Sequence, residues 1–182
     1  AGNSPEVDAS PRPSILCDMT GFIWGLHYGM TDLKSHWGKA YTDDDITVYY
    51  HAGRCIHFAA CVRGLPQVFN PKAKPWIRAD AAPAEQIAGV VRRCPTGALH
   101  YELKNGPAES PEPTSVEVRE NGPLFLRGDL TIAAPHSATP GGEVKDTRAA
   151  LCRCGGSSNK PFCDGTHRNG FQAEGGQKLN TA

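Results

Sequence analysis

Residues 152–167 read C-R-C-G-G-S-S-N-K-P-F-C-D-G-T-H, with the spacing C-x-C-x8-C-x3-H. Cys152 and Cys154 lie two residues apart, so in extended backbone their thiols point to the same side. His167 follows Cys163 by about one helical turn, so both side chains can reach one metal centre. The stretch therefore predicts a metal site that consists of three thiols and one imidazole.

The spacing alone leaves three interpretations of this stretch. The residues could be buried structural thiols beside a core histidine, although their convergence within a short, turn-rich segment argues against it. Three Cys and one His also suffice for a tetrahedral zinc site. The third interpretation is an iron–sulfur cluster.

The same residues resemble the CDGSH iron–sulfur domain, also known as the NEET family. The matching positions are Cys152, Cys154, Ser157, Pro161, Cys163, Asp164, Gly165, Thr166 and His167. The resemblance implies a 2Fe–2S cluster, with Cys152 and Cys154 on one iron and with Cys163 and His167 on the other.

The neutral imidazole gives such a cluster one negative charge fewer than four thiolates would, which makes the cluster easier to reduce. A protonated His167 cannot ligate, so acid is expected to release the cluster.

A second group of cysteines lies upstream. Cys55 and Cys61 are the ends of C-I-H-F-A-A-C, and Cys94 begins a Cys-Pro pair. The pattern resembles a single-cluster bacterial ferredoxin, except that Phe58, which cannot ligate, stands at the central ligand position. Residues 49–102 resemble the divergent single-cluster ferredoxin domain found beside CDGSH domains in bacteria. The resemblance implies a second cluster on Cys55, Cys61 and Cys94.

The type of this second cluster stays open. Three thiolates favour a 3Fe–4S cluster, because a cubane that lacks one corner needs only three. The alternative is a 4Fe–4S cluster with a fourth ligand other than Cys, for which His57 is nearest; a hydrogen-bonded His57 beside the cluster is the simpler interpretation. An empty or zinc-filled site is the remaining alternative. Cys17 has no partner at ligand spacing and is interpreted as a simple buried thiol.

Segments rich in Pro and Gly divide the chain. We expect residues 1–40 to be an N-terminal extension that packs on the body. Residues 41–104 are expected to form a ferredoxin-like cluster domain, residues 105–114 a linker, and residues 115–182 the CDGSH domain. The predicted fold class is α+β, with a small ferredoxin-like domain followed by a small, mostly-β CDGSH domain.

Composition and periodicity predict the secondary structure. Ile46–Tyr50 is β-branched and aromatic like a strand, and Pro83 can start a helix that continues over 84–93. Further strands are expected over 98–103, 115–119, 124–127 and 130–132, with a loop over 135–146.

The composition restricts the classes of function. Lys+Arg and Asp+Glu number 19 each, so no strongly basic face is expected and nucleic-acid binding is not predicted. The apolar runs are far shorter than the ~20 residues of a membrane span. No secretory signal pattern is present at the start of the sequence, so we expect a cytoplasmic protein. No nucleophile with a base, phosphate cradle or organic-cofactor pocket is recognisable, so we expect no enzyme.

We therefore expect a soluble protein with two clusters that transfers electrons to and from redox partner proteins. An iron–sulfur carrier that donates its cluster to apo acceptors, or a redox or pH sensor, is the alternative, and a zinc-stabilised interaction module is a third. CDGSH relatives commonly pair as dimers. The resemblance implies a homodimer through the CDGSH domain, or a ferredoxin-like unit that takes the partner's place.

Overall fold

The computed structural model describes residues 37–134 and 142–176, all of which belong to one compact unit, Thr31–Ala182. The predictions for Cys17 and for most of the N-terminal extension, residues 1–36, lie outside the described residues. Two small lobes are formed, each built on a three-stranded antiparallel sheet with few and short helices. Within the described ranges, no helix is long and apolar enough to cross a membrane.

The N-terminal lobe, residues 37–104, contains strands β1 (Lys39–Thr42), β2 (Ile46–Tyr50) and β3 (Leu99–Leu103), in the order β1-β2-β3. Helices α1 (Ala60–Gly64) and α2 (Ala84–Val91) pack together, and α2 also packs on β3. The strand predicted at Ile46–Tyr50 is confirmed.

The predicted apolar face of α2 is also confirmed, because Ile87, Val90 and Val91 are buried in the core of this lobe. Fully burying side chains of this size stabilises a fold by about 1.5–3 kcal/mol each. The helix ends at Val91, two residues earlier than expected.

The C-terminal lobe, residues 115–134 and 142–176, contains strands β4 (Ser115–Val118), β5 (Leu124–Ala133) and β6 (Glu143–Leu151), in the order β4-β5-β6. The two short strands predicted around Gly128 are one strand with an irregularity between Arg127 and Leu130. Gly128 has φ +136°, and a Cβ there would lie 2.7 Å from Thr114 Oγ1, so glycine permits this bulge.

The loop predicted over residues 135–146 is wrong at its C-terminal end, because β6 already begins at Glu143. The buried positions of this strand include Asp146 and Arg148. Charged side chains at inward positions break the apolar alternation on which strand prediction depends. Their charges are balanced by partners from outside the strand, which the sequence does not reveal.

A buried ion network joins the two lobes. Arg54 of the N-terminal lobe pairs with Asp146 of β6, and its Nη2 donates to the carbonyl oxygen of Arg148 at 2.9 Å. His100 Nε2 lies 3.3 Å from Asp146 Oδ1, and its Nδ1 lies 2.9 Å from Glu109 Oε2. Arg148 Nη2 is 2.6 Å from Glu109 Oε1. All five side chains are at most 4% exposed. The two lobes, and the segment between their sheets that carries Glu109, therefore share one set of buried charges.

Candidate metal centres

The backbone places the two halves of the C-terminal Cys and His stretch side by side. The amide of Cys152 donates to the carbonyl oxygen of Pro161 at 2.8 Å, and the amide of Cys163 donates to Ala150 at 2.8 Å. Cys152 and Cys154 follow directly after β6, whereas His167 lies in a 3₁₀ turn, Thr166–Arg168. The stretch therefore folds back on the end of β6.

The four side chains form two close pairs. The sulfur atoms of Cys152 and Cys154 are 3.9 Å apart, and Cys163 Sγ is 3.2 Å from His167 Nδ1. Two ligands that bind one tetrahedral metal at about 2.0–2.3 Å lie roughly 3.3–3.8 Å apart. Each pair is therefore spaced for one metal ion.

Within residues 37–134 and 142–176, no group of three or more His, Cys, Asp or Glu side chains converges on a single metal ion. A tetrahedral zinc site needs all four ligands around one point, whereas a two-iron cluster takes one pair on each iron. The donor set of the C-terminal lobe fits the second arrangement better than the first.

Two of the thiol sulfur atoms accept hydrogen bonds from backbone amides. Gly156 N lies 3.4 Å from Cys154 Sγ, and Gly165 N lies 3.4 Å from Cys163 Sγ. Burial raises the pKa of Cys152, but hydrogen bonds from the Ser157 backbone and the neighbouring Cys154 outweigh it, so the pKa of Cys152 is lowered. The site thus favours the thiolate form that ligates.

In the other pair, Cys163 and His167, burial has the larger effect on both pKa values. Burial raises the pKa of Cys163, with a contribution from the charge of Cys152. Burial also lowers the pKa of His167, helped by the adjacent Arg168. A neutral imidazole keeps its lone pair available for a metal, so the lowered pKa extends ligation to lower pH.

The three cysteines of the N-terminal lobe come from three separate segments. Cys55 follows a 3₁₀ turn, Ala52–Arg54; Cys61 lies in α1; and Cys94 lies just after α2. All three line one small cavity together with apolar and aromatic side chains. Burial, and then the charges of Cys94 and Cys55, raise the pKa of Cys61 to about 11. As thiolates these three side chains would repel one another in an apolar cavity, so a cationic centre that binds and neutralises them is favoured there.

The loop from Cys55 to Cys61 contains two residues with left-handed backbone. His57 has φ +54° and Ala59 has φ +65°, although neither is glycine. Arg63 Nη2 holds this loop by donating to the Phe58 carbonyl oxygen at 2.9 Å. Such conformations cost about 1–3 kcal/mol each and cluster at ligand-binding sites.

The side chain of His57 is placed differently from the three thiols. It lines a wider groove, of about 870 Å³, together with Cys55 and Cys61 but without Cys94. Phe58, at the central ligand position, lines the small cavity and packs edge-on against Phe125 of the other lobe at 5.8 Å. The structure thus brings the three cysteines together and leaves His57 beside them.

Sequence reasoning missed the residues that bring the two sites near each other. Ile56, next to Cys55, shares a buried cluster with Cys163 of the C-terminal lobe. Arg168, next to His167, donates from Nη2 to the carbonyl oxygen of Ile56. The only sign of Ile56 and Arg168 in the sequence is that each directly follows a predicted ligand.

The comparisons with known proteins match the two parts of the chain in which these sites lie. Residues 41–104 match the family described as divergent 4Fe-4S mono-cluster, and residues 121–168 match the family described as iron-binding zinc finger CDGSH type. An uncharacterized protein of Escherichia coli, YjdI, is 41% identical over 66 residues, which make up 36% of this chain and 87% of that protein; the same protein from a second strain gives the same values. No solved structure matches the chain significantly.

The fold and the two sites define an iron–sulfur protein of two small domains. The chain combines a divergent 4Fe-4S mono-cluster domain over residues 41–104 with a CDGSH-type iron-binding domain over residues 121–168, as the resemblance predicted, and it belongs to the family of its bacterial relative YjdI.

Proposed function

We propose that this chain is an electron-transfer protein with two cluster sites. A 2Fe–2S cluster is held by Cys152, Cys154, Cys163 and His167, and a second cluster is held by Cys55, Cys61 and Cys94. The observation that carries the proposal is the arrangement of the C-terminal donors as two pairs, each spaced for one iron. When bound, such clusters take up and release single electrons.

The residues of this chain set how those electrons move. His167 supplies a neutral ligand, which favours reduction over an all-thiolate set. The amides of Gly156 and Gly165 point at thiol sulfurs and stabilise their negative charge. The cavity around Cys55, Cys61 and Cys94 has a mostly apolar wall, which lowers the polarity around the second site.

For the second site we propose a ferredoxin-like domain with a 3Fe–4S cluster, because three thiols share its cavity and His57 faces the neighbouring groove. A 4Fe–4S cluster with His57 as fourth ligand is the alternative. It requires the His57 side chain to turn from the groove into the cavity.

The proposal extends to the role of the protein in the cell. We propose no catalysis by the chain itself, and exchange of electrons with redox partner proteins. A cytoplasmic location suits both sites, since free thiols persist in reducing compartments. Pairing of two chains through the CDGSH domain is also proposed from the resemblance.

The decisive experiment is anaerobic purification followed by iron and sulfide analysis and EPR spectroscopy. We expect two spectroscopically distinct centres, with iron in excess of the two ions that one 2Fe–2S cluster would supply. Cys55→Ala should remove one signal and keep the other, whereas Cys163→Ala should do the reverse. One zinc ion per site and no visible absorption would refute the proposal.

A second candidate is an iron–sulfur carrier, for which the exposure of the C-terminal site is the supporting observation. Cys152, Cys154 and His167 are only partly buried, and the adjoining Gly155 and Gly156 are exposed. An acceptor protein could therefore approach this cluster directly. Incubation with an apo-ferredoxin separates the candidates: a carrier passes on iron and sulfide, whereas an electron carrier changes only its redox state.

A further inference from the structure

The contacts between the lobes are concentrated beside the two metal sites. Ile56 and Cys163 are each 3% exposed and share one buried cluster with Phe125 and Ala150. A Cβ added to Gly165 would lie 4.0 Å from Cβ of Ile56. The residue after one predicted ligand, Cys55, therefore packs directly against the Cys163 loop.

A hydrogen bond crosses the same boundary. Arg168 Nη2 donates to the carbonyl oxygen of Ile56. Because Arg168 follows His167 and Ile56 follows Cys55, this bond connects the two ligand sets through the whole Arg168 side chain, the adjoining backbone and one hydrogen bond. A second crossing bond, from Asn159 Nδ2 to Gly53 O at 2.8 Å, holds the adjoining loops.

We propose that the two cluster sites exchange electrons within one molecule, across a junction formed by Ile56, Cys163 and Arg168. This inference rests on the proposed function. Electron tunnelling falls steeply with separation and is faster through packed, bonded atoms than through solvent, and the junction supplies such a path. Arg168 is the positioning residue, because its guanidinium ties the His167 turn to the Cys55 loop.

The step transfers one electron and nothing else. With both clusters bound, the cluster held by Cys55, Cys61 and Cys94 would lose one electron, and the cluster held by Cys152, Cys154, Cys163 and His167 would gain it. No bond forms or breaks, and no proton moves. The neutral ligand His167 favours this direction. An external low-potential, one-electron donor must then re-reduce the N-terminal site.

The test is flash reduction of the protein with both clusters loaded, using less than one equivalent of a photogenerated deazaflavin radical. Absorbance should show a fast reduction followed by a slower exchange between the two centres. We expect the rate of the second phase to be independent of protein concentration. Arg168→Gln should slow this phase severalfold, Arg168→Lys should partly restore it, and Ile56→Ala should slow it without changing any charge.

Arg153→Gln is the matched control. Arg153 also lies beside the C-terminal thiols, but its guanidinium donates to the carbonyl oxygens of Arg119 and Glu174, at 2.9 and 2.6 Å, within its own lobe. The substitution Arg153→Gln removes the same charge as Arg168→Gln and leaves the junction intact, so the exchange rate should stay near that of the wild type. The reduction potentials of both clusters are measured by EPR-monitored titration. They show whether a variant changes the driving force for electron transfer or the path that the electron takes.

Three results would overturn the inference. One is a second phase that scales with protein concentration, and another is equal rates in the wild type, Arg168→Gln and Ile56→Ala. The third is equal slowing by Arg153→Gln, which would assign the effect to charge alone. In all three cases both clusters are present, so the proposed function survives; failure to find two clusters by iron and sulfide analysis would remove the proposed function and this inference together.

Discussion

The carboxylate of Asp164 organises the loop that carries Cys163 and His167. It accepts hydrogen bonds from Ser158 N at 2.8 Å and from Thr166, whose amide and hydroxyl lie 3.0 and 2.7 Å away. These bonds, the Thr166 side chain first, hold the pKa of Asp164 down at about 2. One charged side chain thus joins Ser158 to the turn that leads to His167.

We predict that Asp164→Asn weakens cluster retention. A hydrogen bond to a charged group contributes about 1.5–3 kcal/mol, and the amide keeps only part of this. Because the folded pKa is lowered, the stabilisation is present above about pH 4 and is lost as pH falls through about 2. Loss of visible absorbance against time should be faster in the variant at neutral pH. Asp129→Asn, at an exposed carboxylate of the same lobe, should match the wild type.

At His167 we predict that replacement by Cys slows acid release of the C-terminal cluster. Burial lowers the pKa of His167 from 6.5. As pH falls through that pKa the imidazole takes up a proton and cannot ligate, whereas a metal-bound thiolate resists protonation in this range. The added negative charge should also lower the reduction potential. Absorbance decay across this pH range and a redox titration measure both effects. Unchanged acid lability would contradict ligation by His167.

Among the elements, the turn between Cys94 and β3 is set by a glycine. Gly97 has φ +65°, and a Cβ there would lie 2.4 Å from the carbonyl oxygen of Arg148 in β6. A side chain would therefore force the two lobes apart at the ion network. The close approach of β6 to this turn requires a residue without a Cβ.

We predict that Gly97→Ala destabilises the protein by more than about 2 kcal/mol, from backbone strain and the steric clash together. Gly89→Ala is the matched control, because Gly89 is exposed in α2 and a Cβ there meets nothing within 4 Å. The control should stabilise the protein by up to about 1 kcal/mol. Denaturant unfolding followed by tryptophan fluorescence measures both. Equal effects would show that the turn tolerates a side chain.

For the described unit as a whole, the ion network holds the lobes in register. Two guanidinium groups and two carboxylates surround His100, and each carboxylate contacts both a guanidinium group and the imidazole. Trp37 stacks on the same imidazole at 4.7 Å. Removing one member leaves its partner charged and buried without compensation, which is strongly destabilising.

We predict that Asp146→Asn lowers the free energy of unfolding by about 3–5 kcal/mol. Asp80→Asn breaks an ion pair of similar chemistry with Arg78, but that pair is more than half exposed, so stability should hardly change. Urea unfolding of the two variants beside the wild type is the measurement. A small loss in Asp146→Asn would mean that the network does not hold the lobes together.

The same network predicts how stability depends on pH. Burial lowers the pKa of His100, but hydrogen bonds to Asp146 and Glu109 outweigh it, so the pKa is raised above 6.5; the pKa of Asp146 is held below 3.8. The contribution of His100 is complete below pH 6.5 and is lost as pH rises through its folded pKa. The contribution of Asp146 to stability is present above pH 3.8 and is lost in acid.

We therefore expect these two groups to stabilise the protein most between about pH 4 and 6.5. Unfolding free energies across this range, in the wild type and in His100→Gln, provide the test. The decline above pH 6.5 should disappear in the variant. A decline of equal size in both proteins would assign it to other groups.

The sequence by itself determined the family and the main elements, because those depend on local patterns. The thiols and imidazole of residues 152–167 lie within sixteen positions, so short-range spacing was enough to predict them as one site. The strand Ile46–Tyr50 and the buried face of α2 likewise follow from side-chain type and period.

Only the tertiary structure decided how the two lobes meet. Arg54, His100 and Asp146 have no local pattern, because each is explained by a partner far along the chain. The start of β6 was missed for the same reason, since Asp146 and Arg148 fill inward positions that apolar residues usually occupy. Burial of a charge depends on the presence of an opposite charge in space, and chain neighbours do not show it. The junction of Ile56 with Cys163, on which exchange between the sites would depend, is visible only in the fold.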